Sequence, residues 1–262
     1  MKYLILADLH HDFWMEAKRN PFEGIEEDIA SLDLLLLAGD LTNKPKVRWT
    51  KALKALTQML APDKIKVFPG NHDYYQFRID DENRLRDFAT AAGVEYVNRS
   101  TIHLGKTRFL CATLWTDFNL GPGRLINEGH IPERMNDFKL IRVAHDAFRP
   151  LQPRDVVQAH LKDKNWLAAE LRKYHNGRTV VVSHHAPHPG VLHDYAENLD
   201  AAYASDLEDF ILEHSPDEWM FGHCHQAHDI DVGTTRLTNA SLGYPDDVPD
   251  PAQRIRNLIR DL

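Results

Sequence analysis

Short apolar runs that stop abruptly at polar residues or glycine recur along this chain. Residues 3–7 lead into Asp8, and 34–37 lead into Gly39-Asp40. Residues 65–68 lead into Pro69-Gly70-Asn71-His72-Asp73, 179–182 into Ser183-His184-His185, and 219–221 into Gly222-His223-Cys224-His225. Runs this short and this uniformly apolar suit strands covered on both faces. Between them, residues 47–60, 82–92, 164–174 and 206–214 carry apolar side chains at three- and four-residue spacing, the period of a helix with one buried face. Strands alternating with helices predict βαβ units in an α/β domain. Residues 109–114 read as another strand, and 229–232 and 235–238 as two short strands joined by a Gly233-Thr234 turn. Residues 251–262 read as a surface helix.

The stretch 118–163 breaks this rhythm with Gly121-Pro122-Gly123, Pro132, Pro150 and Pro153. It is expected to be a partly helical insertion over one rim of the sheet, inside a single domain spanning 1–262. A length of 262 residues fits one large α/β domain with an ample core. Composition narrows the function classes. A hydrophobic share of 43% and a charged share of 27% exclude an extensively disordered chain. The net charge of −8 makes long nucleic acid a poor partner. With Cys111 and Cys224 as its two cysteines, the chain is no disulfide scaffold, and a cytoplasmic setting is the simplest expectation. The apolar start is cut short by Asp8, His10, His11 and Asp12, which suits a strand and not a signal peptide. No run approaches the roughly 20 apolar residues that span a bilayer, so no membrane partner is expected.

Ligands of open α/β sheets bind beyond the carboxyl ends of strands. The five polar clusters occupy that place, and each brings a carboxylate, an imidazole or an asparagine. Taken singly, Asp8-x-His10 also reads as a cap with a surface histidine, Gly39-Asp40 as an ordinary turn, and Gly222-His223-Cys224-His225 as a turn with two solvated histidines. Together and in this order, they resemble the signature of the calcineurin-like metallophosphoesterase superfamily. That signature runs D-x-H, G-D, G-N-H-D/E, a lone H after a strand, and G-H-x-H. Here the blocks are Asp8-Leu9-His10, Gly39-Asp40, Gly70-Asn71-His72-Asp73, Ser183-His184 and Gly222-His223-Cys224-His225, spanning residues 8–225.

The resemblance implies a four-layer α/β/β/α sandwich of two mixed sheets flanked by helices. It implies two metal ions, with Asp8, His10 and His225 on one, Asn71, His184 and His223 on the other, and Asp40 bridging. Carboxylate, imidazole and amide donors suit Mn, Fe or Zn. Two divalent cations less Asp8, Asp40 and a bridging hydroxide leave a site of charge +1, which attracts an anion within an acidic protein. The implied reaction is hydrolysis of a phosphomonoester or phosphodiester by in-line attack of that hydroxide. His72 would be an acid just outside the metals, and Asp73 the carboxylate that orients it.

Further candidates surround this set. His11, His185 and His188 lie beside ligands and, with Arg142, are candidate substrate contacts; Arg142 has the guanidinium geometry to clamp a phosphate. Cys224 is expected to point away by alternation. Tyr74, Tyr75, Trp115-Thr116-Asp117, Asn136-Asp137, Asn239 and Tyr244 are possible pocket walls, while His103, His145, His160 and His214 read as structural or solvated. The expected partner is a small phosphoester. A nuclease, a non-catalytic scaffold of the same fold and a protein phosphatase remain as alternatives.

Overall fold

The computed structural model describes residues 1–192 and 199–262. The first four strands, β1 (Lys2–Leu6), β2 (Leu34–Ala38), β3 (Ile65–Phe68) and β4 (Glu95–Tyr96), run parallel side by side. The chain then lays down β5 (Ser100–Leu104) and β6 (Thr107–Ala112) and forms a two-stranded ribbon of β7 (Arg142–Val143) and β8 (Arg149–Pro150). It continues with β9 (Thr179–Ser183), β10 (Glu218–Phe221), β11 (Ile230–Val232) and β12 (Thr235–Asn239). The last strand, β13 (Ile259–Asp261), joins the first sheet antiparallel to β1. The second sheet is ordered β11-β12-β10-β9-β6-β5, parallel in its centre and antiparallel at both edges.

Alternation sorts each strand into two faces. Tyr3, Ile5, Leu36, Ala38 and Phe68 of the first sheet meet Phe109, Cys111, Val180, Val182 and Met220 of the second in an inter-sheet layer. Leu4, Leu6, Leu35, Leu37 and Val67 point the other way, into the core shared with the helices. Both faces are covered, so the runs are apolar without alternation. The helices α1 (His11–Glu16), α2 (Glu26–Ala30), α3 (Pro45–Leu56) and α4 (Glu82–Thr90) fall among the strands of the first sheet. The helices α5 (Arg124–Arg134) and α6 (Asp137–Leu140) lie between β6 and β7, and α7 (Pro153–Leu171) precedes β9. Next come α8 (Asp200–Tyr203), α9 (Glu208–His214) and α10 (Pro251–Leu258). The result is the expected mixed α/β sandwich of two sheets flanked by helices. Among the described residues, no helix is long and apolar enough to cross a membrane.

Two expectations need correction. The helix expected at 164–174 starts at Pro153, inside the stretch assigned to the insertion. Proline at the first helical position and the Asp155 carboxylate accepting the Gln152 N–H at 2.9 Å mark that start. His160 and Asp163 are buried on its inward side and hide the apolar period. The residues 251–262 are a helix only to Leu258, because the chain then pairs with β1.

This architecture brings the polar strand ends together. The two sheets are joined at that edge by the Ala7 N–H, which donates to the Ala240 carbonyl at 2.9 Å, and by a parallel bridge between Ala7 and Ser241.

Candidate metal centre

Each predicted ligand lies in the first residues after a strand, and the loops hold them in unusual backbone shapes. Asp8, His10, Asp40 and His223 all have positive φ, between 42° and 65°. That left-handed region is costly for residues with a Cβ and is kept where surrounding structure enforces it, often at functional sites. Glycine makes the close approach possible. Gly39 sits at φ +90°, and a Cβ there would strike the His184 ring. A Cβ on Gly70 would strike the Asp40 carboxylate and lie 2.6 Å from His184 Nε2.

The side chains converge in overlapping groups. Asp8, His10 and His225 offer donor atoms within 4.8 Å of one another, as do Asp40, His184 and His223. His10, Asp40 and His72 form a third such group. Asp8 Oδ1 lies 3.4 Å from His225 Nε2, and the two ring nitrogens His10 Nε2 and His225 Nε2 face each other at 3.3 Å. On the other side, Asn71 Oδ1 is 3.0 Å from His184 Nε2. Asp40 reaches both sides, with Oδ1 at 3.4 Å from His184 and Oδ2 at 3.8 Å from His10. Asp8 Oδ1 and His223 Nε2 are buried without a hydrogen-bond partner. Buried polar atoms are normally paired. Two orphaned donor atoms among carboxylate, imidazole and amide groups are what a pair of cations would satisfy.

The electrostatics agree. Burial, followed by the neighbouring His72, pushes His10 down to about 3, and burial with His184 does the same to His223. Both rings are neutral and have a lone pair to give. Burial opposes protonation of His184, but Asp40 and then Asp8 override it and raise this ring to about 9. His225 is raised by Asp8 against the same burial. Burial opposes charge on Asp8 and Asp40 too, yet His225 holds Asp8, and His184 holds Asp40, below the ordinary carboxylate range.

A cleft of about 460 Å3 opens over this cluster. Asp40, Asn71, His72, His223 and His225 form its floor, and Arg134, Met135, Asn136, Gln226, Tyr244 and Asp247 are among its walls. The family whose description is "calcineurin-like phosphoesterase" matches residues 1–227. The chain belongs to that family. The matched region holds every strand end that contributes to the cluster. Among similar solved structures of these phosphoesterases is phosphopantetheinyl hydrolase (PptH) from Mycobacterium tuberculosis, with a TM-score of 0.63 and 19% identity, covering 100% of this chain and 95% of that one. At that identity the likeness is one of fold. The uncharacterized protein L509 of Acanthamoeba polyphaga mimivirus is 23% identical, over 91% of this chain and 90% of the relative.

Several side chains stand elsewhere than their sequence neighbours suggest. Asp73 does not orient His72. Its buried carboxylate accepts from the N–H groups of Leu41 (3.3 Å), Thr42 (3.1 Å) and Gly70 (2.9 Å) and from Trp49 Nε1 (2.6 Å). It ties the Asp40 loop to the Asn71 loop, and burial, with the charge of Asp40, raises it to about 7. His72 Nδ1 is instead 2.9 Å from Asn43 Oδ1, and its ring stacks on Tyr75 at 4.2 Å. None of His11, His185, His188 and Arg142 lines the cleft. His11 lines a separate depression with Asp12, Met15 and Arg48. His185 is buried, stacked on Trp115 at 5.1 Å and packed against the His223 ring at 4.4 Å. His188 groups with Asp206 and Glu208, and Arg142 lies beside Phe77 and Arg78. Cys224 is buried and its Sγ faces the Tyr203 carbonyl at 3.9 Å, away from the donors.

Asp137, Asn43 and Arg134 also stand at the site, with little to mark them in the sequence. Asp137 accepts from Asn71 Nδ2 at 2.9 Å and from the Tyr75 hydroxyl at 2.7 Å, which turns the Asn71 oxygen toward His184. Asn43 lies three residues beyond Asp40, and that proximity was its one signal. Arg134 ends α5, inside the 118–163 stretch, where a basic residue in the last helical turn reads as ordinary.

Proposed function

We propose that the protein is a dinuclear metal-dependent phosphoesterase acting on a small phosphomonoester or phosphodiester. The observation that carries this is Asp40, whose two oxygens face two separate donor groups at the floor of an open cleft. Asp8, His10 and His225 would hold one cation, and Asn71, His184 and His223 the other. Such a pair, as Mn, Fe or Zn, supplies charge neutralisation and Lewis-acid activation of water. His10 and His223 are kept neutral by burial and so give lone pairs without first losing a proton. Asp137 fixes which atom of Asn71 faces the centre. With Nδ1–H donating to Asn43, His72 presents Nε2 to the cleft, where it hands a proton to the departing oxygen. The 118–163 stretch contributes Arg134, Met135 and Asn136 to the wall, and is proposed to set substrate choice. The compartment is proposed to be the cytoplasm.

His72→Ala separates acid from ligand. The variant should keep its metals. It should lose little on a nitrophenyl ester, which leaves without help, and about 10²–10⁴-fold on an alkyl ester. The checks are kcat/KM on both esters and elemental analysis. Equal losses on both would assign His72 to phosphoryl-oxygen stabilisation. A phosphopantetheine ester, the class named for the mycobacterial fold neighbour, belongs in the substrate panel.

A further inference from the structure

A second cleft of about 610 Å3 adjoins the first. His72, Tyr75, Asn136, Tyr244 and Asp247 line both, so His72 stands on the ridge between them. The two clefts differ in chemistry. The first contains the donor cluster and, on its wall, Arg134. The second is walled by Phe13, Tyr75, Tyr244, Leu140 and Pro245, and its charged lining residues are Asp246 and Asp247. Phe13 and Tyr244 meet edge to face at 5.1 Å and offer ring surface to a guest. No Lys or Arg is among the described residues lining it. Arg19, which approaches the same loop, donates to the carbonyls of Pro245 (2.5 Å) and Val248 (3.0 Å) and stacks over Trp14. Its charge is engaged with the loop backbone. Asp246 and Asp247 are exposed, and among the described residues neither is in an ion pair.

We propose that this second cleft receives the alcohol half of the substrate and selects an alcohol with a flat apolar body bearing a positive charge, such as an amine-bearing aromatic alcohol. The proposal rests on the phosphoesterase reading, with His72 as proton donor. The oxygen that accepts the His72 proton must come within about 3 Å of that ring. With the phosphoryl group over the donor cluster, an oxygen within reach of His72 on the ridge can direct its carbon body into the second cleft. There it meets aromatic rings, which favour flat apolar groups and cations alike. A further phosphate or carboxylate on the alcohol would face two carboxylates with no cation to pair it. In the reaction, the oxygen of water joins phosphorus, the bond from phosphorus to the alcohol oxygen breaks, and that oxygen takes the His72 proton. The proton released by water restores His72 through solvent.

Three phenyl phosphates provide the test, with aminomethyl, methyl or carboxymethyl at the para position. The methylene spacer keeps the leaving oxygens similar in acidity, so the chemical step alone does not rank them. With the metal-loaded protein, kcat/KM should fall in that order by about three- to fivefold per step, the scale of exposed charge pairs. The Asp246→Asn/Asp247→Asn double variant should compress the three to within about twofold of one another. Equilibrium binding of the corresponding phenols to the metal-free protein is a second readout, and the amine-bearing phenol should bind more tightly than the carboxymethyl one. Hydrolysis of all three esters at one rate would overturn the subsite and leave the phosphoesterase standing. A ranking that survives the double variant would overturn the role of the two carboxylates. Hydrolysis of none of them, nor of their methyl phosphodiester counterparts, with any of Mn, Fe or Zn, would overturn the phosphoesterase reading and the subsite with it.

Discussion

The two halves of the donor cluster look alike but are charged differently. One half has its own carboxylate, Asp8, beside His10 and His225. The other has Asn71 where a second carboxylate could stand, beside His184 and His223. Each half contains one imidazole that burial keeps neutral and one whose affinity for a proton a carboxylate raises. In the second half that carboxylate is the shared Asp40, supported by Asp8. An amide-bearing half draws less on formal charge and more on orientation, which the Asp137 carboxylate supplies from behind. One half is expected to hold its cation by charge, and the other by a positioned dipole plus a borrowed charge.

The largest expected effect removes what the halves share. Asp40→Asn should strip both cations and reduce kcat/KM by ~10³-fold or more, the several kcal/mol a metal pair contributes. Elemental analysis checks the first part and steady-state kinetics the second. Retention of both metals would falsify the bridging assignment. Next, Asp8→Asn and His184→Ala should each leave about one equivalent of metal, in opposite halves. A variant of either kind that emptied both would show that the halves are not separable. Asp137→Asn should weaken only the amide-bearing half, by about 10–100-fold in metal affinity, the usual range for a group that orients a ligand. The smallest effect is in pH dependence. A ligating imidazole must be neutral, so uptake in the second half displaces the proton held on His184 at about 9. Its apparent affinity should fall about tenfold for each pH unit below 9. His225 is raised by Asp8, so uptake in the first half should also weaken as pH falls through that raised value. Titration calorimetry in two buffers of different ionisation heat measures the protons released.

The donors could be read from the chain because each lies within a few residues of an apolar run, and both faces of those strands are covered. Their supports were hidden for a physical reason. Asp137 and Asn43 act across loops, so no local period marks them. Adjacency to His72 suggests a partner for Asp73, whereas its carboxylate is taken up by the N–H groups of Leu41 and Thr42 in another loop, of Gly70 in its own, and by Trp49. The apolar period marks only the later part of the helix from Pro153, because its buried face includes His160 and Asp163. The Asp163 carboxylate is used up by the Leu114 N–H at 2.8 Å and Arg99 at 2.8 Å. Satisfied buried polar residues look like surface when only the sequence is seen.

The pairing of β13 with β1 has a consequence in time. Lys2 aligns with Asp261, so the strand that carries Asp8 and His10 at its end is flanked on one side by residues from the opposite end of the sequence. Loop closure over such separations is slow relative to local structure. During synthesis, β1 waits with one edge bare, a liability for pairing with other chains. Residues 259–261 cover only positions 2–4 of that strand, whereas its donor end is met earlier in synthesis by residues 240–243, with the Gly243 N–H donating to the Asp8 carbonyl at 3.1 Å.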